Sequence, residues 1–209
     1  MSKKLFPFTV FFIAQSSLYF LCTTGMTASE FKTTWNDVYQ TTSGHDKHTK
    51  IHALALQDDA YAQYILSIHF RLGEFVETDW KKANDWLIKS ANNGYAEAEY
   101  ILATCYSSKK YHFPLDDTKA VYWLKRSAAK GYISAQYELG EHYHRGVGIK
   151  KDKILSYVWL TLASREDSFV SIRARHMVKD EMTNSEIKKA EALTEVYFNQ
   201  FVTPFNQKP

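Results

Sequence analysis

The chain has 209 residues, 45% of them apolar and 23% charged, which is the balance of a folded chain and not of a disordered or wholly membrane-embedded one. Its formal net charge of +3 includes Lys3 and Lys4, and no acidic residue precedes Glu30. Removal of a leader would therefore leave 24 basic residues, two fewer than 26, against 23 acidic ones. A charge of +1 excludes an electrostatic case for nucleic acid as partner.

Residues 1–28 read as an address. Lys3 and Lys4 form a basic start, "LFPFTVFFIAQSSLYFLC" an apolar core, and "TTGMTASE" a small-residue stretch with the cut expected after Ala28. The alternatives are an uncleaved membrane anchor and a lipoprotein acylated at Cys22, although Tyr19, Phe20 and Leu21 place bulk where an acylation site wants small residues. No later apolar run approaches the ~20 residues needed to cross a bilayer. The expectation is an exported protein, periplasmic or secreted, that touches membrane only through an uncleaved leader. Without Cys22 the chain keeps Cys105 alone, so no intramolecular disulfide can form.

In "SEFKTTWNDVYQ", Phe31, Trp35, Val38 and Tyr39 share one helical face and predict a capping helix. Residues 47–57 then read as the second helix of an incomplete repeat. From there two blocks recur in register. Ala62, Ala98 and Ala135 coincide, as do Tyr64, Tyr100 and Tyr137, and Leu66, Leu102 and Leu139. Trp86, Trp123 and Trp159 superpose in the second block, preceded by Ala83, Ala120 and Ser156. The steps are 36 and 37 residues, the signature of a helical repeat array. Small Ala lets helices approach, while Tyr, Leu and Trp fill the space between them, so each repeat is an antiparallel helix pair. Asp79, Asp116 or Asp117, and Asp152 are placed to cap the second helices. Gly94 and Gly131 follow those helices where a left-handed residue is wanted, and Asp58 holds that place one period earlier.

The pattern of "LG", "YHRGVGIKKD", "KAVYWLKRSAAKG" and "SYVWLTLAS" resembles the Sel1-like repeat (SLR), a cousin of the tetratricopeptide repeat. The tail "SIRARHMVKDEMTNSEIKKAEAL" is similar to the closing segment of bacterial SLR proteins, and Thr183 with Glu186 form a capping box there. The expected fold is all-α: a right-handed α/α superhelix, or α-solenoid, of stacked antiparallel helix pairs. Its parts are a leader (1–28), an N-terminal capping helix and half repeat (29–57), repeats at 58–94, 95–131 and 132–167, and a C-terminal helical cap and tail (168–209). Two departures stand out, Phe75 in place of the second loop glycine and Lys109 with an insertion in place of the Gly-x-Gly-Val turn.

Chemistry is sparse. His48 and His52 are four apart with His45 nearby, but they lack a His-Glu-x-x-His core or a downstream third ligand, so a solvated helix face is expected and no metal or other cofactor. His69, Cys105 and His142 share one repeat position, and neighbours in a stack are ~10 Å apart, too far to share a zinc. Packing against the next helix is expected for them, with Cys105 a buried thiol. Gly146-Val147-Gly148 follows a helix and ends at Asp152, which suits a turn and not a phosphate cradle. A related, disulfide-rich group of SLR proteins is linked to penicillin and cell-wall ligands, but this chain lacks its paired cysteines.

The resemblance implies a non-enzymatic, monomeric adaptor that binds a protein or peptide in a concave groove, in the bacterial envelope or at a host interface. The alternative is a peptidoglycan- or β-lactam-binding protein or hydrolase. Tyr61, Tyr95, Tyr111 and Tyr132 are the candidate contact residues.

Overall fold

The computed structural model describes residues 35–38, 40–41, 43–109, 112–166 and 168–201. The leader and its cleavage site, with Phe31, Tyr39 and Tyr111, lie outside the described residues. Contacts divide the chain into two units, Met1–Tyr95 and Ala96–Pro209.

In the first unit a helical segment at 35–38 precedes α1 (Gly44–Ala55), α2 (Ala60–Leu72) and α3 (Trp80–Asn92). The core joins Trp35, Val38, Ile51, Leu54, Ala55, Ala62 and Leu66, so Trp35 and Val38 face inward as their spacing predicts. The expected half repeat starts earlier than residue 47, because Ser43 Oγ accepts the amide of Asp46 at 3.3 Å and caps α1. Asp59 caps α2 through the amide of Ala62 at 2.8 Å, and Trp35 Nε1 donates to its other oxygen at 3.1 Å.

The second unit contains α4 (Ala96–Ser108), α5 (Asp117–Ala129), α6 (Ile133–Arg145), α7 (Lys153–Ala163), α8 (Phe169–Asp180) and α9 (Asn184–Phe201). Consecutive helices pack as pairs, α4 on α5 and α6 on α7, with α8 and α9 both closing on α7. Trp159 of α7 meets Tyr197 and Phe201 of α9 at 5.4 and 5.7 Å between ring centres. This is how the final helix seals the last repeat. The described residues contain no helix long and apolar enough to cross a membrane.

Local chemistry explains the regularity. Asp79, Asp116 and Asp152 accept the amides of Lys82, Lys119 and Leu155 at 2.9–3.0 Å, so the first aspartate of the 116–117 pair is the cap. Those bonds hold the Asp79 and Asp116 carboxyls below the usual range. Thr183 N donates to Glu186 Oε2 at 2.8 Å and Thr183 Oγ1 accepts the Glu186 amide at 3.3 Å, closing the capping box on α9. The repeat alanines Ala62, Ala98 and Ala135 are all fully buried.

The loops hide a second regularity. Gly73, Lys109 and Gly146 all have positive φ, and so do Phe75, His112 and Gly148. Each repeat thus keeps two left-handed residues in its loop, glycine or not, and the insertion in the second copy leaves both in place. Asp58 likewise takes φ 63°, matching Gly94 and Gly131. A side chain in this region strains the backbone. Lys109→Gly should therefore stabilise the chain by roughly 0.5–1 kcal/mol, after the entropy of glycine is set against the relieved strain. A denaturant midpoint that does not rise would contradict this.

Phe75 is tolerated for a further reason. A Cβ built on Gly148 would stand 2.2 Å from the backbone oxygen of Asp117, whereas a Cβ on Gly44 would stand 2.2 Å from the Phe75 ring. Residues 44 and 117 are equivalent positions two repeats apart, as are 75 and 148. Glycine has changed sides between the two contacts, and each site keeps one.

Candidate interaction surface

Of the four candidate tyrosines, the structure describes three. Tyr61 and Tyr95 belong to the first unit and are half-buried. Tyr61 lies between Trp35, at 4.8 Å, and Tyr95, at 5.6 Å, and Tyr95 also meets Tyr64 at 5.0 Å. In the second unit the half-buried Tyr132 meets Tyr100 at 5.2 Å.

These contacts repeat. Tyr64 and Tyr100 are equivalent, and so are Tyr95 and Tyr132. The two pairs have nearly equal spacing and interplanar angles of 40° and 41°. Tilted contacts of this kind add ~0.5–1.5 kcal/mol beyond burial. Asp59 occupies in α2 the place that Tyr132 takes at the start of α6, where no side-chain cap bond forms. At that position a cap bond has given way to an aromatic contact.

The second unit surrounds its pair with carboxylates. Burial, then Glu97 and Tyr100, push the Tyr132 hydroxyl well up from its ordinary value. Burial and Glu138 do the same to Tyr100, and burial with Glu141 and Glu138 to Tyr137. Burial also raises Glu138, opposed by His142. The face is rich in neutral phenols and acceptors. Its groups donate and accept hydrogen bonds and stack, which suits recognition.

Two histidine readings change. His48 is not on a solvated face: it is buried, and its Nδ1 lies 3.0 Å from Nδ1 of buried His69. His69 therefore packs back onto α1, a contact its place in the repeat did not announce. Its equivalent His142 turns Nδ1 to Val147 O at 2.8 Å within its own loop, while Cys105 is buried. Among the described residues no group of three or more His, Cys, Asp or Glu is placed to hold a metal ion.

Sequence reasoning missed one further cluster. Gln63, Glu99 and Gln136 are equivalent and buried. Gln63 Nε2 donates to Ala55 O at 3.0 Å, and Gln136 Nε2 to Ala128 O at 3.1 Å. Glu99 instead accepts from Arg126 Nε at 2.8 Å and Lys130 Nζ at 2.5 Å. The available signal was one acid among aligned amides.

Helix pairs recurring every 36–37 residues, with small residues at the crossings and an aromatic face, define an α-helical repeat protein of the tetratricopeptide-like class. A sequence profile for the Sel1 repeat matches at residues 60–95, 96–132 and 133–168, just over half the chain, and the chain belongs to the Sel1 repeat family. Proteins of this family generally mediate protein–protein interaction and are typically non-catalytic. The fold is similar to that of a Sel1 repeat protein from Oxalobacter formigenes, with TM-score 0.59, 27% identity, and coverage of 61% of this chain and 96% of the other. It is also similar to c5321, a protective antigen of uropathogenic Escherichia coli with an SLR fold, with TM-score 0.56 and 19% identity. That match covers 93% of this chain and 47% of the antigen, so this chain spans just under half the antigen's length. No curated protein matches the chain.

Proposed function

We propose that the protein is an exported, non-enzymatic SLR adaptor that binds a protein or peptide partner in the bacterial cell envelope or at a host interface. The observation carrying this reading is the tyrosine pair that recurs one period on, Tyr64 with Tyr95 and Tyr100 with Tyr132, at 5.0 and 5.2 Å. Each unit carries its own copy of the pair, and tyrosine supplies wide contact area at low entropy cost. Export rests on the leader-like residues 1–28.

Co-purification of the full-length chain from its native envelope, after mild cross-linking, tests the reading. The expected result is one specific protein partner that is lost, or reduced at least tenfold, in a Tyr95→Ala/Tyr132→Ala chain whose melting transition remains cooperative. Undiminished capture by that variant would move the binding site elsewhere. Thermal stabilisation by muropeptides with no protein partner would favour an envelope-ligand protein instead. Mass spectrometry of the mature N-terminus is expected to find Ser29 first.

A further inference from the structure

His48 on α1 and His69 on α2 touch through Nδ1 atoms 3.0 Å apart, with ring centres 5.2 Å apart. They are 9% and 5% exposed, so water contributes little to either ring. A contact between two Nδ1 atoms needs one N–H and one lone pair. A first added proton preserves it, because an imidazolium still donates to a neutral neighbour. A second proton turns both Nδ1 atoms into donors facing each other, and the bond is lost.

Among the described residues, the groups that act electrostatically on the pair are imidazoles. From α1, His52 stacks at 6.3 Å from His48, and His45 acts on it as well. From α2 and its loop, Phe70 and Phe75 close the site at 6.0 and 5.2 Å, while the carboxylates of Glu74 and Glu77 in that loop are exposed. From α3, Trp86 meets His52 edge-on at 5.8 Å, with Lys89 above that ring at 4.2 Å and Lys82 above Phe70 at 5.4 Å. Lys82 is itself paired with Asp79 at 3.4 Å, so the charges that act on the two rings are those of the neighbouring imidazoles.

We propose that the His48–His69 pair is an acid-sensitive latch: it holds α1 on α2 at neutral pH, and double protonation releases the segment before Asp58 from the first complete repeat. Release uncovers Ala62 and Leu66, now beneath Ile51 and Leu54 in one core. It also loosens Trp35 from Tyr61, so an acid compartment would remodel the aromatic cluster of the first unit.

The sign follows from linkage. Burial, then the neighbouring imidazoles, lower His48, and burial, then His48, lower His69 from 6.5 to about 4. The unfolded segment therefore binds more protons than the folded one between these values. The latch's contribution is complete above pH 6.5 and is lost as pH falls toward about 4. As the two rings share a proton, the pair titrates in two joint steps.

Amide hydrogen exchange on the full chain, expressed as protection relative to intrinsic rates, tests this. Between pH 7.5 and 4.5, protection of Gly44–Ala55 is expected to fall at least tenfold while that of Ile133–Ala163 changes less than threefold. In His48→Asn/His69→Asn, whose amides can replace the Nδ1 bond without titrating, the fall should vanish. Should that variant fail to hold α1, wild-type imidazole nitrogen shifts supply the check: protection must fall across the pH range in which the two rings take up protons, between 6.5 and about 4. An unchanged α1, an equal fall in Ile133–Ala163, or loss of protection outside that range would overturn the latch. So would zinc at pH 7.5 raising α1 protection tenfold, which would make the pair a metal site.

Discussion

Glu99→Ala is expected to destabilise the Ala96–Pro209 unit by about 3–5 kcal/mol, because it leaves two cations beside a buried gap. The Glu99 side chain is wholly buried; its Oε1 takes Arg126 at 2.8 Å and Lys130 at 2.5 Å, while Oε2 is buried with no hydrogen-bond partner among the described residues. Burial raises Glu99 against the pull of both cations and lowers Lys130 against the pull of Glu99. Such a triad adds little net stability, yet breaking it is costly. The first unit shows the neutral solution at the same positions: Asn93 Nδ2 donates to Gln63 Oε1 at 3.0 Å. A Glu99→Gln/Lys130→Asn chain copies that arrangement and should recover most of the loss. Urea denaturation of the three chains decides it, and an alanine variant within ~1 kcal/mol of wild type would show that Glu99 carries no buried charge.

Gly148→Ala is the second large effect, about 2–4 kcal/mol, combining left-handed strain with an overpacked contact. Its Cβ would lie 2.2 Å from Asp117 O and 2.5 Å from Asp117 C, backbone atoms at the start of α5 that cannot rotate away. Gly146→Ala separates the two causes. Its φ of 72° imposes the same strain, but its Cβ would come no nearer than 3.3 Å, to the side chain of Lys151. It should cost about 1–2 kcal/mol. Equal midpoints for the two variants would mean that the third-repeat loop does not press on α5. Only the contact with α5 distinguishes the two glycines, which look alike in the sequence "RGVG".

The helices, the aspartate caps and the left-handed residues after α1, α3 and α5 were legible because each depends on residues a few places apart. Thr183 needs only Glu186, so spacing was enough to find that box, whereas at 116–117 spacing offered both aspartates and the amide of Lys119 chose Asp116. Asp58 was recognisable as a left-handed residue from its place in the period, although it is not glycine. The candidate surface was less legible. Tyr95 and Tyr132 stood out as aromatics, but their partners Tyr64 and Tyr100 were read as repeat filling, since a contact between neighbouring repeats shows itself only when the helices meet.

By itself, the sequence determined the period, the paired helices and the family, since those follow from patterns of small, aromatic and capping residues that every repeat restates. Tertiary structure alone decided which charges and rings meet. His48 reaches His69 across 21 residues, and Glu99 reaches Lys130 across 31. His48 looked like one face of a solvated helix until α2 covered it, and Glu99 gained its role only when Arg126 and Lys130 closed over it. Helix and cap chemistry acts within one turn of the chain, whereas burial, which sets the titration of these groups and the cost of losing a partner, exists only once distant turns have packed together.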